Sequence, residues 1–172
     1  LRRSRGLGDV YKRQGLASLD KLLEKYPKNL VLNTTKVEFL SYFNKFNDAL
    51  DLANKFLEIS PKNYPLSISK SQILLNMGQY FESEEIIRDQ LLRKNDSPDL
   101  WFMLSETQKT SQNIVGYHQS RAEYFLLLGQ DEKALNQLEF ALQLTQNNFQ
   151  VSDRIMTKII EIKKSLQNSR GL

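Results

Sequence analysis

Two short stretches, YPKN at residues 26–29 and SPKN at residues 60–63, lie 34 residues apart. Each closes an amphipathic run, and proline cannot continue a helix, so Pro27 and Pro61 mark helix ends. Glycine supplies a second mark. NMGQY and LLLGQ place Gly78 and Gly129 between two helical patterns, where the position just past a helix C-terminus favours glycine. A 34-residue period built from two helices restricts the chain to a helical repeat array.

The repeat can be followed residue by residue. The run FNDALDLANKFLEISPKN carries apolar side chains at Phe46, Ala49, Leu50, Leu52, Ala53, Phe56 and Leu57. That is helical spacing with one stripe to bury, and the two alanines permit close helix approach. The next repeat keeps Gly78, Tyr80, Ile86, Ile87 and Leu91 but has Ser83 and Gln90 at positions that call for alanine. PDLWFMLSE supplies Trp101 and Leu104, and RAEYFLLLGQDEKALNQLEFALQL supplies Ala122, Gly129, Ala134, Ala141 and Leu142 in register. The pattern resembles the tetratricopeptide (TPR) repeat. The resemblance implies an all-α, right-handed superhelical solenoid of antiparallel helix pairs with a C-terminal capping helix.

The register shifts once. Gly129 follows Gly78 by one and a half periods, so the helix near 114–128 stands second in its pair yet reads like a first helix. The expected organisation is a leader at 1–14 and a TPR domain at 15–168. Within it lie a truncated repeat at 15–28, repeats at 29–62 and 63–97, half-shifted helices at 98–146 and a capping helix at 149–168. That last run sets Phe149, Val151, Ile155, Met156, Ile159, Ile160 and Ile162 against a charged face, as the end of a repeat stack requires.

Charge sharpens the reading of the leader. The formal net charge is +4, and residues 1–14 hold five basic residues against Asp9. The remainder balances 19 basic with 19 acidic residues, so the body has no nucleic-acid footprint in its overall charge. The leader shows no stripe to pack on Leu16, Leu19, Leu22 and Leu23. It resembles translated sequencing-adaptor read-through standing where a first helix is expected, so the expectation is a non-native or disordered leader on a truncated chain.

Catalytic patterns are missing. There is no cysteine, and His118 is the single histidine, so the chain cannot supply a histidine pair to a catalytic zinc site, which needs about three protein ligands. HExxH, GxSxG, GxxxxGK[ST] and GxGxxG do not occur. His118 and Ser120 are two residues apart and would not face each other on a helix. The acidic pairs Glu84–Glu85 and Asp131–Glu132 fall at helix starts, where they favour the macrodipole and are expected to stay solvated. The chain itself is read as no enzyme, with no cofactor. No apolar run approaches the roughly 20 residues of a membrane span.

What remains is a surface. In a TPR stack the first helices line the concave face. The sequence places Thr34, Glu38, Ser41 and Tyr42 there, then Ile68, Gln72, Leu75 and Asn76, then Phe102, Glu106 and Lys109, and finally Gln119, Glu123 and Leu126. The candidate peptide-binding set is Glu38, Tyr42, Gln72, Asn76, Phe102, Glu106, Lys109 and Glu123. This mixed groove suits an extended or helical polypeptide, and it lacks the Lys/Asn/Arg cluster of chaperone-binding TPRs.

One segment goes further. DLWFMLSETQKTSQNIVGYHQSRAEYFLLLGQDEKALNQLEFALQL followed by VSDRIMTKIIEIKK resembles the C-terminal end of periplasmic β-barrel assembly-enhancing zinc metalloproteases. The resemblance implies a parent with an upstream HExxH zinc peptidase domain, a periplasmic location, and outer-membrane β-barrel clients and their assembly machinery as partners. No zinc ligand of that family maps onto this chain. The alternative is a TPR scaffold or lipoprotein assembly factor with no peptidase domain.

Overall fold

The computed structural model describes the backbone of residues 2–145 and 148–170, and their side chains except at 2–9, 12, 169 and 170. The described residues form nine α-helices and no strand. They are α1 (Arg2–Lys25), α2 (Leu30–Tyr42), α3 (Phe46–Ile59), α4 (Tyr64–Asn76), α5 (Tyr80–Arg93), α6 (Pro98–Thr110), α7 (Ile114–Leu127), α8 (Asp131–Leu144) and α9 (Phe149–Arg170). The chain divides into two compact units, Leu1–Ser83 and Glu84–Leu172.

The period is written into the backbone at the helix ends. Positive φ occurs at Asn44, Gly78 and Gln112, each 34 residues after the last, and again at Gly129, half a period on. All four end their helices in the same way. Gln79 N–H donates to the Leu74 carbonyl at 2.9 Å and Gly78 N–H to Leu75 at 3.1 Å, and Lys45, Asn113 and Gln130 repeat the longer bond at 2.9, 2.8 and 2.9 Å. This is the Schellman arrangement, which satisfies carbonyls that the helix leaves open. The starts recur too. Asn29 and Asn63 cap α2 and α4 by accepting from the N–H of Leu32 and Leu66 at 3.0 and 2.9 Å.

In the first unit, α2, α3 and α4 enclose Val37, Leu40, Ala49, Ala53, Phe56, Leu66 and Ile73. The alanines lie fully buried where helices meet most closely. Ser83, at an expected alanine position, is also fully buried, because Ser71 answers it. The two hydroxyls stand 2.9 Å apart, and Ser83 Oγ donates to the Ser71 carbonyl at 2.9 Å. A paired polar contact thus replaces an apolar one at the α4–α5 seam.

Residues 2–14, expected as a non-native or disordered leader, form the opening turns of α1. Helix propagation adds a bond per residue once a packed segment has nucleated, and Arg, Lys, Leu and Gln are good helix formers. The absence of a packing stripe holds where side chains are described, since Val10, Tyr11, Arg13 and Gln14 are exposed. Leu1 and the side chains at 2–9 and 12 lie outside the described residues. Further along, Gly15 lets α1 approach α2, for an added Cβ would stand 3.1 Å from Phe39 Cζ. Leu19 is buried, while Leu22 stays 47% exposed.

In the second unit, α7, α8 and α9 enclose Ala122, Ala134, Leu138, Ala141, Ile155, Ile159 and Ile162. The apolar stripe expected along α9 splits. Ile155, Ile159 and Ile162 follow i, i+4, i+7 and are buried, whereas Met156 and Ile160 lie one residue further round and are exposed, as is Phe149. Gln146, the last residue of the expected half-shifted segment, lies outside the described residues.

Candidate functional site

The candidate surface is built from helices whose equivalent positions recur at the repeat period. In the first unit, Glu38 and Tyr42 lie one turn apart on α2 and both are exposed. Gln72 and Asn76 hold the same positions 34 residues on, on α4, also exposed, with Gln72 Nε2 donating to Asn76 Oδ1 at a long 3.5 Å. α2 and α4 touch each other, so these four side chains share one face. Thr34, expected beside them, is buried instead. Its hydroxyl donates to the Leu30 carbonyl at 2.9 Å, which hides it in its own helix.

In the second unit, α6 and α7 form an antiparallel hairpin with a surface of alternating cations and rings. Lys109 Nζ lies 5.8 Å from the centre of the Tyr117 ring. One helical turn along α7, the Arg121 guanidinium sits 4.9 Å from the Phe102 ring, 5.0 Å from Tyr124 and 5.1 Å from Phe125. Phe102 and Tyr124 are themselves 5.5 Å apart. Each cation–π contact contributes on the order of 0.5–2 kcal/mol, more where water is excluded. Arg121 Nη1 is buried with no hydrogen-bond partner, an arrangement that costs roughly 1–3 kcal/mol.

The sequence placed Gln119, Glu123 and Leu126 of α7 beside Phe102, Glu106 and Lys109. The structure brings Tyr117, Arg121 and Tyr124 to α6 instead. Two residues along a helix turn the side chain by about 200°, which carries Glu123 to a different side. There its carboxylate pairs with Lys158 of α9 at 3.1 Å. Leu126 packs on the core, and Gln119 lines an open cleft of about 450 Å³ with Arg88, Asn113, Gly116, Leu144, Thr145 and Asn148 among its walls. The signal for the cluster was present in YHQSRAEYF, where one arginine has aromatics at i−4, i+3 and i+4. Nothing in the sequence showed that α6 would set Phe102 over it.

Beneath this surface lies a polar chain. Gln108, fully buried, accepts from Ser120 Oγ at 2.7 Å and donates to Glu84 Oε1 at 3.0 Å. Arg88 holds the same carboxylate oxygen through Nη2 at 2.6 Å and Nε at 2.9 Å. Glu84 was expected to be solvated at a helix start; its side chain is only 19% exposed because these donors draw it against α6. Gly116 makes the close approach possible, since a Cβ there would stand 2.8 Å from Gln108 Nε2 and 2.6 Å from Asn113 Nδ2.

His118 turns away from Ser120. Its Nδ1 lies 2.9 Å from Gln137 Oε1, and its ring lies against Tyr117 and Phe140 at 4.9 and 5.5 Å. Both groups are thus engaged in helix–helix contacts. Among the described residues, no three His, Asp or Glu side chains gather to hold a metal ion, and no helix is long and apolar enough to cross a membrane.

Comparison with known proteins places this geometry. No protein-family model matches the chain. The mouse (Mus musculus) interferon-induced protein with tetratricopeptide repeats 3 is 26% identical over 120 residues, which is 70% of this chain. That stretch spans only 26% of the mouse protein. MamA from Desulfovibrio magneticus RS-1, solved from residue 41 to its end, superposes with a TM-score of 0.63 at 13% identity. The match covers 94% of this chain and 91% of that one. The fold is a TPR solenoid. YrrB, described as a TPR protein with an unusual peptide-binding site, superposes with a TM-score of 0.51 at 16% identity, covering 90% of this chain and 98% of its own.

Proposed function

We propose that this chain is a polypeptide-binding module. The observation that carries the reading is the repetition of exposed, chemically mixed side chains at equivalent positions of neighbouring first helices: Glu38 and Tyr42 on α2, Gln72 and Asn76 on α4. Buried positions on the same helices are filled by packing or by paired hydroxyls, while these four side chains are exposed. A carboxylate, a phenol and two amides can bond both N–H and C=O groups of an extended chain. That YrrB is described as having a peptide-binding site supports the reading by analogy of fold. Binding of the full chain to an array of unrelated peptides tests it. Selective capture that falls at least about tenfold in the Tyr42→Ala, Asn76→Ala double variant is expected, tenfold being about 1.4 kcal/mol. Uniform absence of capture would reject the reading.

The likeness of residues 98–165 to the closing segment of β-barrel assembly-enhancing metalloproteases favours a narrower version. In it the module positions β-barrel clients in the periplasm for a zinc peptidase domain encoded upstream. The competing version is a TPR scaffold or lipoprotein assembly factor with no peptidase. Sequencing the locus upstream separates them: an in-frame HExxH on a helical pattern supports the first, and a complete gene without it supports the second.

A further inference from the structure

We propose that Arg121, framed by Phe102 and Tyr124, is an anchor for an acidic, aromatic-bearing polypeptide segment. This deepens the polypeptide-binding reading and rests on it. Arg121 is a cation of the second unit with no ion pair among the described residues. Glu84 takes Arg88, Asp89 takes Arg93, Glu123 takes Lys158 and Glu139 takes Lys163. Among the described residues Arg121 meets ring faces at 4.9–5.1 Å, and its buried Nη1 finds no acceptor there. Rings on its flanks displace water and hold the planar guanidinium in place, so an incoming carboxylate meets an oriented, poorly hydrated donor. Phe102 is 40% exposed and offers the same ligand an apolar face.

The neighbourhood favours a polypeptide of one pattern. Lys109 is another cation without an ion pair among the described residues, and it lies over Tyr117, which is one helical turn from Arg121 on α7. Tyr117 and Arg121 are four residues apart, about 6 Å along the α7 axis, and alternate side chains of an extended chain recur every ~7 Å. Acidic residues at i and i+2 therefore match both cations, with the residue between them turned the other way. The balanced charge of the body disfavours a continuous phosphate backbone.

The test uses the full chain and three fluorescent probes: a capped octapeptide alternating Asp and Phe, its Asn counterpart, and an oligouridine. The wild type is expected to bind the Asp peptide at least tenfold more tightly than the Asn peptide at low ionic strength, with the gap narrowing as salt rises. Arg121→Gln should abolish the preference, and Arg121→Lys should restore only part of it, because an ammonium lacks the planar fork. Phe102→Ala should weaken both peptides while keeping the helical circular-dichroism signature of the wild type at the assay temperature, and so reports on the site without depending on the stability of the Arg121 variants. Equal binding of the two peptides, or a preference that survives Arg121→Gln, would overturn the assignment. Tighter, Arg121-dependent binding of oligouridine would reassign the surface to nucleic acid. If the peptide array of the preceding section yields partners but no acidic preference appears, the anchor falls and the module stands. If no peptide binds at all, both fall.

Discussion

Replacing Gln112 by glycine should stabilise this protein, although it removes a side chain and adds none. Gln112 occupies the left-handed region at φ 62°, where an L-residue meets its following carbonyl. That conformation costs roughly 1–2 kcal/mol for a side chain with a Cβ. Glycine removes the clash but loses more backbone freedom on folding, about 0.5–1 kcal/mol. The difference leaves a gain of about 0.5–1 kcal/mol, or about 2 °C in Tm for a chain of this size. The bonds at that turn, Gln112 N–H to Lys109 and Asn113 N–H to Gln108, need no side chain and persist. The mirror experiment is equally clean. A Cβ at Gly129 would meet nothing within 4 Å, so Gly129→Ala isolates the backbone cost at φ 67° and should lose about 1 kcal/mol. Asn44→Gly should gain less than Gln112→Gly, because asparagine tolerates this region better. Gln112→Ala should match the wild type, since the Cβ remains. Urea unfolding followed by circular dichroism, with equal slopes across the set, gives the order. A Gln112→Gly midpoint at or below that of Gln112→Ala would refute the reasoning.

Other substitutions probe the seams. Ser83→Ala should lose about 1 kcal/mol by leaving the buried Ser71 hydroxyl half-satisfied, while the Ser71→Ala, Ser83→Ala double variant should return close to wild type, a coupling that a double-mutant cycle measures. Gly116→Ala should lose about 2 kcal/mol or more in denaturant melts, since the new methyl displaces both Gln108 and Asn113 from their bonds. Leu19→Ala should cost about 2 kcal/mol and Leu22→Ala well under 1, because Leu19 is buried and Leu22 half exposed. Hydrogen exchange should find α1 less protected than α8, and equal protection would contradict the exposed face assigned to it.

The sequence alone carried the fold class. Two prolines, two glycines and the alanines at helix crossings are local signals, and each acts through constraints on its own backbone or its own volume. Asn44 and Gln112 were invisible by the same rule, because neither residue type demands a positive φ. Only the Schellman bonds around them reveal that the turns at 44 and 112 copy those at 78 and 129. The departure at Ser83 was legible as a departure, but its compensation by Ser71 twelve residues away was not.

The candidate surface divided in the same way. Exposure of Glu38, Tyr42, Gln72 and Asn76 follows from helical period and repeat position, which the sequence encodes directly. The face that α7 turns toward α6 does not. It depends on whether α7 packs as the second helix of one pair or the first of the next, and its sequence resembles both. Packing chose the α6 hairpin, joining Arg121 to Phe102 and sending Glu123 to Lys158. A periodic pattern specifies which stripe of a helix is apolar, but the rotation of that stripe toward one neighbour or another is decided only when the helices close together, where a shift of two residues moves a side chain to the far side.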